Sequence, residues 1–116
     1  MAGFAEHIWQ FQLPPLPFPE EIRAWDQAAK ALGLPEMLLM ENAAKAAFDV
    51  MRHHCAGLAG KSVWLIMGSG NNGGDAACLA RYLLDAGAHP LVLHTRPLRD
   101  LKGCCAQHAK VAKASG

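Results

Sequence analysis

The residues with the most evident chemical use lie together in Gly68-Ser69-Gly70-Asn71-Asn72-Gly73-Gly74-Asp75. Gly68, Gly70 and Gly73 satisfy a G-x-G-x-x-G pattern, and the stretch joins an apolar run of strand length to a helical period, the setting in which that pattern binds a phosphate. Glycine permits the tight turn and lets backbone N–H groups come close to an anion, and a helix N-terminus adds about 0.3–1 kcal/mol for negative charge. Two features depart from an ordinary dinucleotide fingerprint. Asn71 and Asn72 fill the x-x positions, and Asp75 sets a carboxylate at the expected helix start, where it repels a phosphate. Amide and carboxylate oxygens on one turn also suit a hard cation or a hydrogen bond to a polar ring. A structural alternative stays open, in which Asn71 and Asn72 take left-handed turn conformations and Asp75 caps the helix. The G-K-[ST] of a P-loop is absent.

Other polar residues are ambiguous. Glu41 and Asn42 interrupt an apolar helical period, so they either lie on its solvent stripe or point to the mouth of the glycine loop, with Glu41 ordering Asn71 or Asn72. His53, His54, His89, His94 and His108 show no metal-ligand spacing with one another or with a cysteine, and no zinc site is expected. His94 and Arg96 follow the second apolar run, where a dinucleotide fold reads its ribose; a basic residue there accommodates a 2′-phosphate, unless Arg96 simply faces water. Lys102, Lys110 and Lys113 read as a solvated helix face. Cys55, Cys78, Cys104 and Cys105 contain no C-x-x-C and read as reduced, small hydrophobes.

The elements that must position these groups follow from periodicity. Residues 1–18, crowded with proline at Pro14, Pro15 and Pro17, read as an extended arm. Helical periods run from Pro19 to Gly33 and from Pro35 towards Gly57. Val63-Trp64-Leu65-Ile66-Met67 is a continuous apolar run, the pattern of a strand covered on both faces, with Trp64 in the core. A helix is expected from Asp75 to Ala86, a second strand at Leu91-Val92-Leu93, and a last helix from Cys104 to Ala114. This βαβα order implies an α/β fold with a parallel pair and a right-handed crossover. Two strands fall short of the usual four to six, so residues 19–116 read as the N-terminal part of a domain. A chain of 116 residues holds one domain at most. Its net charge of +1 argues against nucleic-acid or anionic-membrane partners. The sequence has no apolar run long enough to span a bilayer and no signal pattern, so the expected location is the cytoplasm.

The run Gly68 to Asp75, together with Leu39-Met40-Glu41-Asn42-Ala43-Ala44 and Arg23-Ala24-Trp25-Asp26, resembles the YjeF N-terminal domain, the NAD(P)H-hydrate epimerase family, over roughly residues 14–113. The resemblance implies a Rossmann-like three-layer α-β-α domain with a parallel sheet, usually a homodimer. It implies action on hydrated, damaged NADH and NADPH, whose two epimers are interconverted, with a dehydratase, fused or separate, acting on one of them. Carried over by position, Asn71, Asn72, Gly73, Gly74 and Asp75 bind the dinucleotide, and Asn72 is a ligand of a potassium ion. The catalytic aspartate, a further cation-binding acid and a second phosphate loop are expected downstream of Gly116. Ala44 and Ala76 stand where the family commonly has glycine. The alternatives are a non-catalytic nucleotide-binding or scaffold module of the same fold, or an NADP-dependent oxidoreductase half-domain.

Overall fold

The computed structural model describes residues 15–116, so most of the arm expected over residues 1–18 lies outside the described residues. The chain divides into two units, the first ending at Gly33 and the second running from Leu34 to Gly116. In the first, residues 15–18 are irregular and lead into helix α1 (Pro19–Ala31). Pro19 loses no hydrogen bond at this position and presets φ, while Glu20 and Glu21 meet the positive end of the helix dipole. The Glu21 carboxylate reaches back to accept the Phe18 N–H at 2.7 Å, which secures the helix start. Gly33, at φ +93°, ends the segment in a conformation that costs other residues dearly.

The second unit contains α2 (Glu36–His54), β1 (Ser62–Met67), α3 (Asn71–Asp85), β2 (His89–His94), a short 3-10 turn (Leu98–Asp100) and α4 (Gly103–Ser115). β1 and β2 pair in parallel, from Ser62 opposite His89 to Met67 opposite His94. Helix α3 is the crossover between them and packs against both strands, α2 and α4. Its small buried residues, Ala77, Cys78 and Ala80, let these neighbours come close, and Leu83 is fully buried with them. One core cluster joins Ala44, Leu65, Cys78, Leu79 and Leu83, with Phe48 stacked on Tyr82 at 5.6 Å between ring centroids. A second joins Met67, Ala77, Leu101, Cys105 and Ala109.

Two expectations are corrected here. Within this unit β1 is covered on one face only: Leu65 and Met67 are buried, while Trp64 is 69% and Ile66 75% exposed. Their cross-strand partners Leu91 and Leu93 are exposed on the same face. The reason is that the helices of this unit share the Leu65–Met67 side of the sheet, so the unit supplies two of three layers. Because both faces are apolar, the alternation between them does not show in the residue types. The second correction concerns α3, which begins at Asn71 rather than Asp75, with Gly73 and Gly74 inside its first turn. Among the described residues, no helix is long and apolar enough to cross a membrane.

Candidate functional site

The corner between β1 and α3 is built on close approach. Gly70 is the N-cap residue in extended conformation, and Asn71 and Asn72 are the first two helical residues, both exposed. Gly73 and Gly74 are buried. A Cβ at Gly73 would collide with the Gly68 carbonyl oxygen, and one at Gly74 would collide with the Met40 thioether and stand 3.2 Å from Cys105 Cα. Glycine is therefore required because the first turn of α3 is pressed against the end of β1, against α2 and against α4. Helix propensity disfavours each glycine by about 1 kcal/mol, and this packing overrides it.

The N–H groups of Gly73 and Gly74 both donate to the Gly70 carbonyl, at 3.0 and 3.2 Å. Both are thereby used within the helix. The amides ahead of the first intrahelical bond are those of Asn71 and Asn72. No described residue other than glycine has positive φ, so Asn71 and Asn72 are helical and not left-handed. Asp75 lies one turn inside the helix and does not cap it. It shares a side of α3 with Asn72, three residues earlier.

Glu41 takes neither of its expected roles. It is tied to the middle of α3 and lies neither on a solvent stripe nor against Asn71 or Asn72. Its carboxylate accepts hydrogen bonds from Tyr82 Oη at 2.6 Å, Cys78 Sγ at 3.0 Å, and Arg81 Nη1 and Nη2 at 3.2 Å each. Burial would raise its pKa, but the bonds from Cys78, Tyr82 and Arg81, with the charge of Arg81, together hold it down at about 2. The same contacts act oppositely on the donors. Burial and then Glu41 push the Cys78 thiol up to about 12, and the bond to Glu41 pushes Tyr82 to about 12. Cys105 is also raised, by burial and then by Asp75.

His108 on α4, 1% exposed, completes the group, with Nδ1 at 3.4 Å from Arg81 Nη1. Its Nε2 has no hydrogen-bond partner among the described residues. Among the described residues, Glu41, Cys78 and His108 form a cluster of metal-ligating types that spacing along the chain does not reveal. The signal available for part of it was the i, i+3, i+4 spacing of Cys78, Arg81 and Tyr82 on one side of an otherwise apolar helix.

The remaining candidates lie apart from this group. Asn42 is exposed on α2. Arg96 is exposed beyond β2, and its carbonyl lies 2.7 Å from His94 Nδ1. All four cysteines are free.

Comparison with known proteins places the chain in a family. A family model described as "YjeF-related protein N-terminus" matches residues 36–116. The chain is similar to an NAD(P)H-hydrate epimerase of Rhodopirellula baltica, 36% identical over 107 residues, covering 90% of this chain and 42% of that protein. It is 42% identical over 76 residues to an NAD(P)H-hydrate epimerase of Limosilactobacillus reuteri, covering 65% of this chain and 35% of the relative. It is also 42% identical over 79 residues to a "Bifunctional NAD(P)H-hydrate repair enzyme Nnr" of Thermanaerovibrio acidaminovorans, covering 66% and 15%. The chain spans at most 42% of the length of these three curated relatives. No solved structure matches it. With a family model covering most of its length and a relative 36% identical over 90% of it, the chain belongs to the YjeF-related protein N-terminus family.

Proposed function

We propose that these residues form the nucleotide-binding part of an NAD(P)H-hydrate epimerase, which interconverts the two epimers of hydrated, damaged NADH and NADPH. The observation that carries the reading is the open first turn of α3 at the end of β1, with the Asn71 and Asn72 amides ahead of the first intrahelical bond. Such a helix end attracts a diphosphate through its amides and dipole. Buried Gly73 and Gly74 seat that end firmly against the sheet, so the anion site is preorganised.

We assign a potassium ion to Asn72, as the resemblance to the family implies. The side-chain oxygens of Asn72 and Asp75, on one side of α3, are hard donors that suit such an ion. When bound, the ion supplies positive charge beside the diphosphate. We assign binding and orientation to Asn71–Asp75 and leave the proton transfer to a group outside them, expected downstream of Gly116. A homodimer and a fused or separate dehydratase are part of the same reading; the bifunctional name of the Thermanaerovibrio relative supports a fused second activity only. A cytoplasmic location fits the four free thiols.

Titration calorimetry with hydrated NADPH, in potassium and in tetramethylammonium buffer, tests the binding half. Binding is expected to weaken about tenfold, or about 1.4 kcal/mol, in Asn72→Ala and on removal of potassium. Equal binding of undamaged NADP, indifferent to Asn72→Ala and to potassium, would favour an oxidoreductase half-domain. Absence of any nucleotide binding would leave a scaffold. The activity itself is tested by chromatography of the epimers with the full-length parent protein.

A further inference from the structure

Three side chains of metal-ligating type, from three helices, meet one helical turn beyond Asp75. Glu41 comes from α2, Cys78 from α3 and His108 from α4, and one ligand atom of each lies within 4.8 Å of the others. Among them stands Arg81 Nη1, 3.2 Å from Glu41 Oε2, 3.4 Å from His108 Nδ1 and 3.8 Å from Cys78 Sγ. A guanidinium nitrogen donates and never accepts, so all three atoms present lone pairs to the point it occupies. With Arg81 as the donor, His108 Nδ1 is the acceptor of that contact. The space is shaped for a positive charge, which the chain itself supplies.

We propose that Glu41, Cys78 and His108 are a Zn²⁺ site, for which the guanidinium of Arg81 is the resident competitor. In the exchange the ion enters, the Arg81 side chain, already 27% exposed, moves into water, and Cys78 gives its proton to solvent. Charge balances on both sides. Before the exchange the Glu41 carboxylate is matched by Arg81; afterwards carboxylate and thiolate together match the divalent ion, and no charge is left buried alone. One carboxylate oxygen, one thiolate and one imidazole nitrogen suit zinc or cobalt and not magnesium or calcium, which take oxygen donors. Water entering from the side Arg81 vacates provides the fourth position of a tetrahedral site. The ligand atoms must close from their present separations around Nη1 to about 2.0–2.3 Å from the metal, a contraction of about 1–1.5 Å each. An ion there would tie together α2, α3 and α4, the helices whose Met40, Gly74 and Cys105 are in contact at the base of the corner.

The chain, freed of metal by a chelator, is titrated with Co²⁺ as a spectroscopic probe. A thiolate-to-cobalt charge-transfer band is expected to saturate at one ion per chain. About one proton should be released per ion bound, and Zn²⁺ should bleach the band. Cys78→Ser and His108→Ala should abolish it. Arg81→Ala should tighten cobalt binding at least tenfold, because it removes the competitor; a purely structural role for Arg81 would not produce that gain. Should Arg81→Ala fail to fold by circular dichroism, Arg81→Gln carries the same test. The proposal is overturned if the wild-type chain shows no band, even where an Arg81 variant does. It is equally overturned if the band survives Cys78→Ser, or if removing Arg81 weakens binding. None of these readouts depends on nucleotide binding.

Discussion

Gly73→Ala puts a methyl group where the Gly68 carbonyl oxygen stands. That oxygen belongs to the backbone at the end of β1, so relief requires the first turn of α3 to lift away from the sheet, disturbing the contacts of Gly74 with Met40 and Cys105. Overpacking of this kind costs about 1–3 kcal/mol, and a backbone obstacle argues for the upper end. The better helix propensity of alanine offsets about 1 kcal/mol. The net expectation is a loss of about 2 kcal/mol, which for a unit of this size lowers Tm by about 8–16 °C. Gly70→Ala is the control, because none of the described residues lies within 4 Å of its added Cβ and its φ of −93° and ψ of −165° suit alanine. Its stability should stay within about 0.5 kcal/mol of the wild type. Gly74→Ala should fall between them, since the Met40 thioether can move while Cys105 Cα cannot. Urea unfolding without nucleotide, followed by circular dichroism, measures all three. If Gly73→Ala unfolds at the same urea concentration as the wild type, the packing argument is wrong, and the glycine serves only the approach of a ligand.

The Glu41 carboxyl titrates at about 2 in the folded chain against 4.5 for the free group, so its contribution is complete above pH 4.5 and is lost as pH falls towards 2. That difference corresponds to on the order of 3 kcal/mol; urea midpoints should drop steeply over this window in the wild type and much less in Glu41→Gln, and parallel curves would refute a stabilising role for the bonds to Glu41. With an alkylating reagent at mildly alkaline pH, half-buried Cys55 and Cys104 should react first. Buried Cys78 and Cys105, with raised pKa values, should react only on unfolding; mass spectrometry showing early labelling of Cys78 would contradict this. Trp64→Ala should cost less than about 1 kcal/mol in urea unfolding, against about 3–5 kcal/mol for a buried tryptophan, and a larger loss would mean that this sheet face is covered in solution.

Much of this molecule is legible in its sequence. Pro19 and Gly33 bracket α1, the Ala and Met period marks α2, and the change from strand run to helical period brackets the Gly68–Asp75 corner. These signals are short-range: proline and glycine act on their own dihedral angles, and periodicity reports one face of one element. The family motif marks the corner for the same reason, since its residues are consecutive. What required the tertiary structure depends on residues far apart in the chain. Gly73 and Gly74 look like loop until Gly68, Met40 and Cys105 are seen against them. Trp64 looks buried until the helices of its unit are found on the opposite face of the sheet. Glu41 looks like a surface group or a loop partner until Cys78, Arg81, Tyr82 and His108 gather round it from helices 37 or more positions away. Sequence period states which residues seek cover or charge; only the packing of α2, α3 and α4 decides which of them meet.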